Sequence, residues 1–248
     1  MFKTILVLFI IGHLLGDFYF QSDALANSKN KSLARLVEHS LIYLLAMAVA
    51  VFPFFGTQSL KWILLVSAVH FGIDSLQFYL KNNRQTRKMK ANTLYLVDQS
   101  IHLLSLILVA FWIVSNQKIE AYSEIASRFS EIDFVNLELF FYWMLAIALI
   151  LKPASITINK MLDQYQPTTV KEEEKGHPGA GALIGMLERL VILILLTQNQ
   201  YGAIGFVLTA KSIARYNKIT ENPQFSEYYL LGTLLSMLLV IMTHFLIF

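Results

Sequence analysis

The chain has 248 residues, 56% hydrophobic and only 15% charged, with a net charge of +3 and a mean hydropathy of +0.54. Soluble domains carry roughly 25% charged residues, so an ordinary soluble domain is excluded, and the small net charge carries no direct nucleic-acid signal. There is no cysteine, which removes disulfides, thiolate nucleophiles and sulfur metal ligands.

Long apolar runs alternate with short polar stretches. In hydrocarbon every backbone amide must be satisfied without water, so membrane spans are helices or closed barrels. Runs of about 20 apolar residues without alternation select helices. The expected fold is therefore all-α: a polytopic integral membrane helical bundle of about eight transmembrane helices, forming a single transmembrane domain over 1–248. In chain order the spans fall at 2–20, 34–55, 60–80, 93–115, 134–151, 181–198, 202–216 and 228–247. The seventh is the weakest, because only 203–210 is cleanly apolar; it reads as a short span or a re-entrant segment. Residues 1–11 resemble the apolar part of a secretion signal, and Ala24-Leu25-Ala26 a cleavage site. Cleavage is not expected. Ala26 lies far beyond the apolar run, Asp17 interrupts the approach, and a cut there would leave Lys29, Lys31 and Arg35 outside.

Orientation follows from lysine and arginine. Lys29, Lys31 and Arg35 follow the first span; Lys81, Arg84, Arg87, Lys88 and Lys90 the third; Lys152, Lys160, Lys171 and Lys175 the fifth; Lys211, Arg215 and Lys218 the seventh. The alternate connections hold only Lys61, Lys118 and Arg128, plus Lys3 at the start. Every second connection is basic, so those face the cytoplasm and the N-terminus lies outside. The segment 116–133, with Glu120, Glu124, Glu131 and Asp133, reads as an outer amphipathic stretch, and the charge run 171–175 as a solvated loop. His177 is background.

The chemistry-bearing pattern is a repeated pairing. His13 and Asp17 stand four apart, as do His70 and Asp74, and Asp98 and His102 in reverse order. Residues four apart share a helix face. With the orientation above, these pairs and His39 fall in one layer near the cytoplasmic headgroups. Ionisable groups inside membrane helices are costly and face the bundle interior, where they pair or line a wet cavity. Imidazole and carboxylate suit zinc, manganese or iron, and both transfer protons. A divalent metal is thus the expected cofactor. His13, Asp17, His70, Asp74 and His102 are its candidate ligands, and His39 and Asp98 are candidate catalytic groups. Gln21, Gln77 and Gln99 lie near the same layer, and Lys29 and Lys31 follow the first motif, where they could meet an anionic headgroup. The plainer alternative for the pairs is a set of helix-surface hydrogen bonds.

A second polar set lies in the last third: Glu188-Arg189 inside a span, Lys211 and Arg215 on one face, and Glu227 before Tyr228 and Tyr229. An intramembrane arginine needs an anion, which Glu227 or a lipid phosphate could supply. Arg189, Lys211 and Arg215 join Gln21, Lys29 and Gln99 as candidate substrate-binding residues, with an ion-pair network locking the bundle as the plainer alternative.

The run from His13 through Asp17 to Gln21, then Asn27-x-Lys29, His39, His70-x-x-x-Asp74 and Asp98-Gln99-x-x-His102 resembles an uncharacterised family of bacterial inner-membrane proteins, the domain of unknown function thirty-three-oh-seven. The stretches around Glu188-Arg189, Lys211 to Arg215 and Glu227 to Gly232 are similar to it too. The resemblance implies a bacterial source, a multi-pass place in the inner membrane and a helical fold; it names no activity. The His/Asp pairs are more loosely similar to those of membrane-bound metal-dependent hydrolases.

Three functions are expected from these features. The first is a metal-dependent membrane hydrolase at the cytoplasmic leaflet, acting on a lipid-linked or phosphorylated substrate. The second is a cation- or proton-coupled transporter. The third is a non-catalytic membrane partner protein whose polar layer stabilises the bundle. The lipid bilayer is the expected partner in each, and a homo-oligomer is compatible with all three.

Overall fold

A helix facing lipid should turn its apolar stripe outward and keep its polar residues inside, and the long helices of this protein do so. The computed structural model describes residues 1–29, 31–81, 90–117, 136–166, 177 and 179–248. Arg84, Arg87 and Lys88, the acidic stretch 118–133 and the charge run 171–175 lie outside the described residues. Among those described there is no strand.

The helices are α1 (Phe2–Leu14), α2 (Asp23–Ser28), α3 (Leu33–Phe55), α4 (Leu60–Lys81), α5 (Ala91–Asn116), α6 (Leu137–Ile150), α7 (Lys152–Leu162), α8 (Ala180–Thr197), α9 (Tyr201–Ile213), α10 (Tyr216–Glu221) and α11 (Pro223–Ile247). On α3, Leu33, Val37, Leu41, Leu45, Val49 and Phe52 are exposed, while Leu36, His39, Tyr43, Met47 and Ala50 are buried. A continuous exposed apolar stripe of this kind marks contact with an apolar medium.

Six segments are long and apolar enough to cross a membrane: Phe2–Tyr19, Leu33–Leu80, Asn92–Asn116, Leu137–Tyr165, Ala180–Thr197 and Pro223–Ile247. The protein is a multi-pass membrane protein. The segment Leu33–Leu80 contains both α3 and α4, which pack on each other. They join at a 3₁₀ turn, Gly56–Ser59, where Gly56 takes φ +59°, a backbone region that costs glycine little and other residues more. At 23 and 22 residues, each extends about 33–35 Å. The helix α9, expected as the weak seventh span, has 13 residues and reaches only about 20 Å, against a hydrocarbon core of about 30 Å.

The Cα packing resolves into two compact units, Met1–Leu145 and Ala146–Phe248. In the first, α1 packs against α3 and α5, and α4 packs against α3 and α5. Thr4, Ile5, Val7, Leu8, Phe9, Ile11, Gly12, His13 and Leu14 of α1 are all buried, as expected of a helix that is hydrophobic all round. Beyond Leu14 the expected α-helix widens into a π turn, Leu15–Tyr19, closed by Phe20 N–H donating to Leu15 O at 2.7 Å. Such bulges recur at functional sites, and this one carries Asp17.

Close approach of α1 to α3 depends on two residues without side chains. A Cβ on Gly12 would lie 2.8 Å from Met47 Sδ, and one on Gly16 would lie 2.8 Å from the Tyr43 ring and 3.2 Å from its Cα. Methionine can yield. Tyr43 is buried and stacked on His70 with centroids 3.5 Å apart. Gly16→Ala should therefore cost about 1–3 kcal/mol, read as denaturant unfolding in detergent micelles. Gly72→Ala, inside α4 where a Cβ meets nothing within 4 Å, should not destabilise the protein and should gain up to about 1 kcal/mol from helix propensity.

In the second unit, α11 packs against α7, α8 and α10, and α8 packs against α7 and α9.

Candidate functional site

Each His/Asp pair shares a helix stripe for the local reason of spacing, and packing in the first unit then turns those stripes toward one another. α1 and its π turn bring His13 and Asp17, α3 brings His39, α4 brings His70 and Asp74, and α5 brings Asp98 and His102. All are buried except Asp98, which is half-buried. Three groups place ligand atoms within 4.8 Å of one another: His13, Asp17 and His70; His39, His70 and Asp74; and Asp74, Asp98 and His102. His70 and Asp74 each belong to two, so the groups form one connected layer. All seven side chains expected in a shared layer are in it.

Hydrogen bonds orient the rings. His70 Nε2 lies 3.1 Å from Asp17 Oδ1, so its N–H donates to that carboxylate. The other nitrogen, Nδ1, is buried without a hydrogen-bond partner among the described residues and faces Asp74 Oδ2 at 3.9 Å. His102 repeats the arrangement. Its Nδ1 lies 3.0 Å from the Asp98 carbonyl and 3.1 Å from Asp98 Oδ1, while the unpartnered Nε2 faces Asp74 Oδ1 at 3.8 Å. A carboxylate on the far nitrogen fixes the tautomer and leaves a lone pair directed inward, the usual support for a metal-ligating histidine. His39 Nε2 lies 3.2 Å from Asp74 Oδ2 and 3.4 Å from Asp17 Oδ1, bridging the two acids.

These distances test the fit of a metal. Separations of 3.8 and 3.9 Å exceed the roughly 3.2 Å limit of a good hydrogen bond. They are close to the spacing of about 3.4 Å between two ligands each about 2.1 Å from a tetrahedral ion. Unpartnered buried nitrogens also remain on His13 and His39. The donor set fits zinc, manganese or iron.

Lys29 is the residue whose place the sequence did not convey. Its ammonium is not open to a headgroup. It is buried, 3.1 and 3.3 Å from the two Asp74 oxygens and 3.3 Å from His39 Nε2. Burial works against its charge, but the carboxylates of Asp17, Asp74 and Asp98 outweigh this and raise its pKa above the ordinary lysine value. A raised folded value makes the stabilisation complete below the unfolded value, about 10.4, and lost only as pH climbs through the folded one. The layer sets three aspartates against one lysine.

Tyr43, also missed, lies one turn beyond His39 and stacks on His70; its signal was the same four-residue spacing. Gln77 and Gln99 both donate to the Asp98 carboxylate, and Gln21 donates to the Asp17 carbonyl at 2.8 Å.

The remaining candidates lie in the second unit. Arg189 is buried there, and among the described residues its hydrogen bonds go neither to Glu227 nor to another carboxylate. It donates to the carbonyls of Ile150 and Leu151 and to the hydroxyls of Ser155 and Ser236. The chain breaks between α6 and α7 at Leu151, ahead of Pro153, and carbonyls at a helix C-terminus carry partial negative charge. Lys211 donates to Glu188 Oε2 at 2.5 Å and to Thr233 Oγ1 at 3.1 Å. Arg215 is exposed.

Fold and site together define a class: a multi-pass helical membrane protein whose first unit buries a His/Asp cluster with metal-ligand spacing. Residues 5–129 match the family model described as Protein of unknown function (DUF3307), and the chain belongs to that family. The matched stretch contains all seven layer residues and Lys29. No curated protein and no solved structure matches the chain, and no likeness to membrane hydrolases is shown.

Proposed function

We propose that this protein is a metal-dependent hydrolase of the bacterial inner membrane, acting at the cytoplasmic leaflet on a lipid-linked or phosphorylated substrate. One observation carries the proposal: the bare nitrogens of His70 and His102, each held by a carboxylate on its far side, face the two oxygens of Asp74 at 3.9 and 3.8 Å, and Asp74 belongs to two of the three ligand groups. His13, Asp17, His70, Asp74 and His102 would supply the ligands, for two ions or for one ion with some of the five orienting the others. Once bound, a divalent ion lowers the pKa of a water to about 7 and polarises a scissile bond. The protein's own groups do the rest. Asp98 orients His102, and Gln77 and Gln99 hold Asp98 in place. His39 lies between Asp17 and Asp74, where it can accept a proton and pass it on. The placement at the cytoplasmic leaflet is supported by the distribution of lysine and arginine.

Elemental analysis of the full chain, purified without chelator, tests this. At least one equivalent of a transition metal should copurify, chelation should lower the unfolding temperature, and metal should restore it. Metal-free protein indifferent to added zinc, manganese and iron would sink the proposal.

The tethered ammonium favours a second reading, cation- or proton-coupled transport. Lys29 already acts as a cation on Asp74, and a transported cation would exchange with it. Flux in proteoliposomes that disappears with His70→Ala, without hydrolysis, would favour this reading.

A further inference from the structure

The second unit holds a half-open cavity of about 600 Å³, within the range of small-molecule sites, about 300–1,000 Å³. Its walls come from α7, α8, α11 and the end of α9. None of its residues belongs to the His/Asp layer, so binding here is read without reference to metal in that layer.

Chemistry is distributed unevenly in this cavity. Ile158, Leu162, Ile184 and Phe225 make apolar walls, whereas Arg189, Lys211 and Arg215 supply three positive charges. One carboxylate in the lining, Glu188, pairs with Lys211. Arg189 bonds only to neutral carbonyls and hydroxyls, and Arg215 has no ion pair among the described residues. The cavity is thus lined by an excess of two positive charges. Carbonyls and hydroxyls hold Arg189 and the Arg215 side chain is exposed, so this excess is not a buried one, but it favours an anionic occupant.

Two polar atoms ask for more than an anion. Glu188 is 8% exposed, and its Oε1 is buried with no hydrogen-bond partner among the described residues; the Tyr229 hydroxyl is in the same condition. A carboxylate oxygen only accepts. An occupant that suits this lining brings an anion to the cations, an apolar portion to the walls and a donor for Glu188 and Tyr229. Room exists for that portion: a Cβ on Gly181, which lines the cavity, would meet nothing within 4 Å.

We propose that the second unit binds a glycerophospholipid whose headgroup carries a free amine or hydroxyl. Its phosphate lies by Lys211 and Arg215, its headgroup donor meets Glu188 Oε1 and the Tyr229 hydroxyl, and an acyl chain runs along the apolar walls.

The test is titration of the delipidated full chain in mild detergent with short-chain phosphatidylethanolamine and phosphatidylglycerol. The matching phosphatidic acid, diacylglycerol and inorganic phosphate serve as comparison probes. The two donor-bearing phospholipids should saturate one site, with each comparison probe at least about tenfold weaker. Arg215→Gln changes an exposed side chain and should fold normally. It should weaken phospholipid binding about tenfold through loss of a charge-assisted contact, leaving diacylglycerol unaffected. Gly181→Leu, filling open space, should abolish phospholipid binding while the far-ultraviolet helical signal is retained. Diacylglycerol or inorganic phosphate binding as tightly as the phospholipids would overturn the proposal. So would phosphatidic acid binding as tightly as the donor-bearing lipids, or full affinity in either variant.

Discussion

Asp74→Ala should lower the stability of the protein by about 3–5 kcal/mol, the cost of breaking a buried ion pair by removing one partner. Asp74 is 1% exposed, and both its oxygens lie within hydrogen-bond range of the Lys29 ammonium. Alanine leaves that ammonium without its closest anion and deprives His39 Nε2 of one of its two carboxylates. Because Asp74 belongs to two of the three ligand groups, bound metal should be lost in the same variant. Stability and metal content are separable in the double variant, Lys29→Met with Asp74→Ala. Removing both charges removes the uncompensated ammonium, so a large part of the stability should return, while the metal should not. Denaturant unfolding in micelles reads the first quantity and elemental analysis the second. A double variant no more stable than Asp74→Ala would show that Lys29 and Asp74 are not energetically coupled.

Lys29→Met alone should act in opposite directions on metal affinity and on the metal-free protein. The ammonium competes with any divalent ion for Asp74, and its removal makes the layer more negative by one charge. Two unit charges a few ångströms apart in a partly desolvated site interact by about 4 kcal/mol. Zinc or manganese affinity should therefore rise at least about tenfold in isothermal titration, since about 1.4 kcal/mol suffices for that factor. Without metal, the variant should be less stable than the parent, because Asp17, Asp74 and Asp98 lose their only fixed lysine or arginine counter-charge among the described residues. A fall in metal affinity would instead identify Lys29 as an organiser of the site and end the competition account.

Much of this protein is legible without coordinates, for reasons of solvent and spacing. Apolar runs predict helices because hydrocarbon leaves the backbone no alternative. The four-residue spacing of His70 and Asp74 predicts one shared stripe because an α-helix advances about 3.6 residues per turn. The basic connections place the His/Asp pairs at similar depth. Other features depend on contacts remote in sequence. Lys29 looks like an ordinary positive-inside residue, and only a contact spanning 45 positions turns it into the counter-ion of Asp74. The π turn at Leu15–Tyr19 keeps Asp17 in the layer by a widened ring of backbone bonds that no residue pattern announces. Arg189 suggests a missing anion, yet carbonyls released where the chain breaks at Leu151 satisfy its hydrogen bonds. The apolar run 201–213 looks like a span in composition and falls short of one in length.

From its residues alone, this chain determines its solvent, its helical class and the side chains that share each stripe, because all three depend on local spacing and on the cost of exposing amides to hydrocarbon. Tertiary structure decided which way each stripe points around its helix axis. Glycines at positions 12 and 16 let α1 close on α3, and that approach aims four imidazoles and three carboxylates at one another around a buried lysine. Spacing along one helix carries no information about its rotation against the next; only packing supplies that angle.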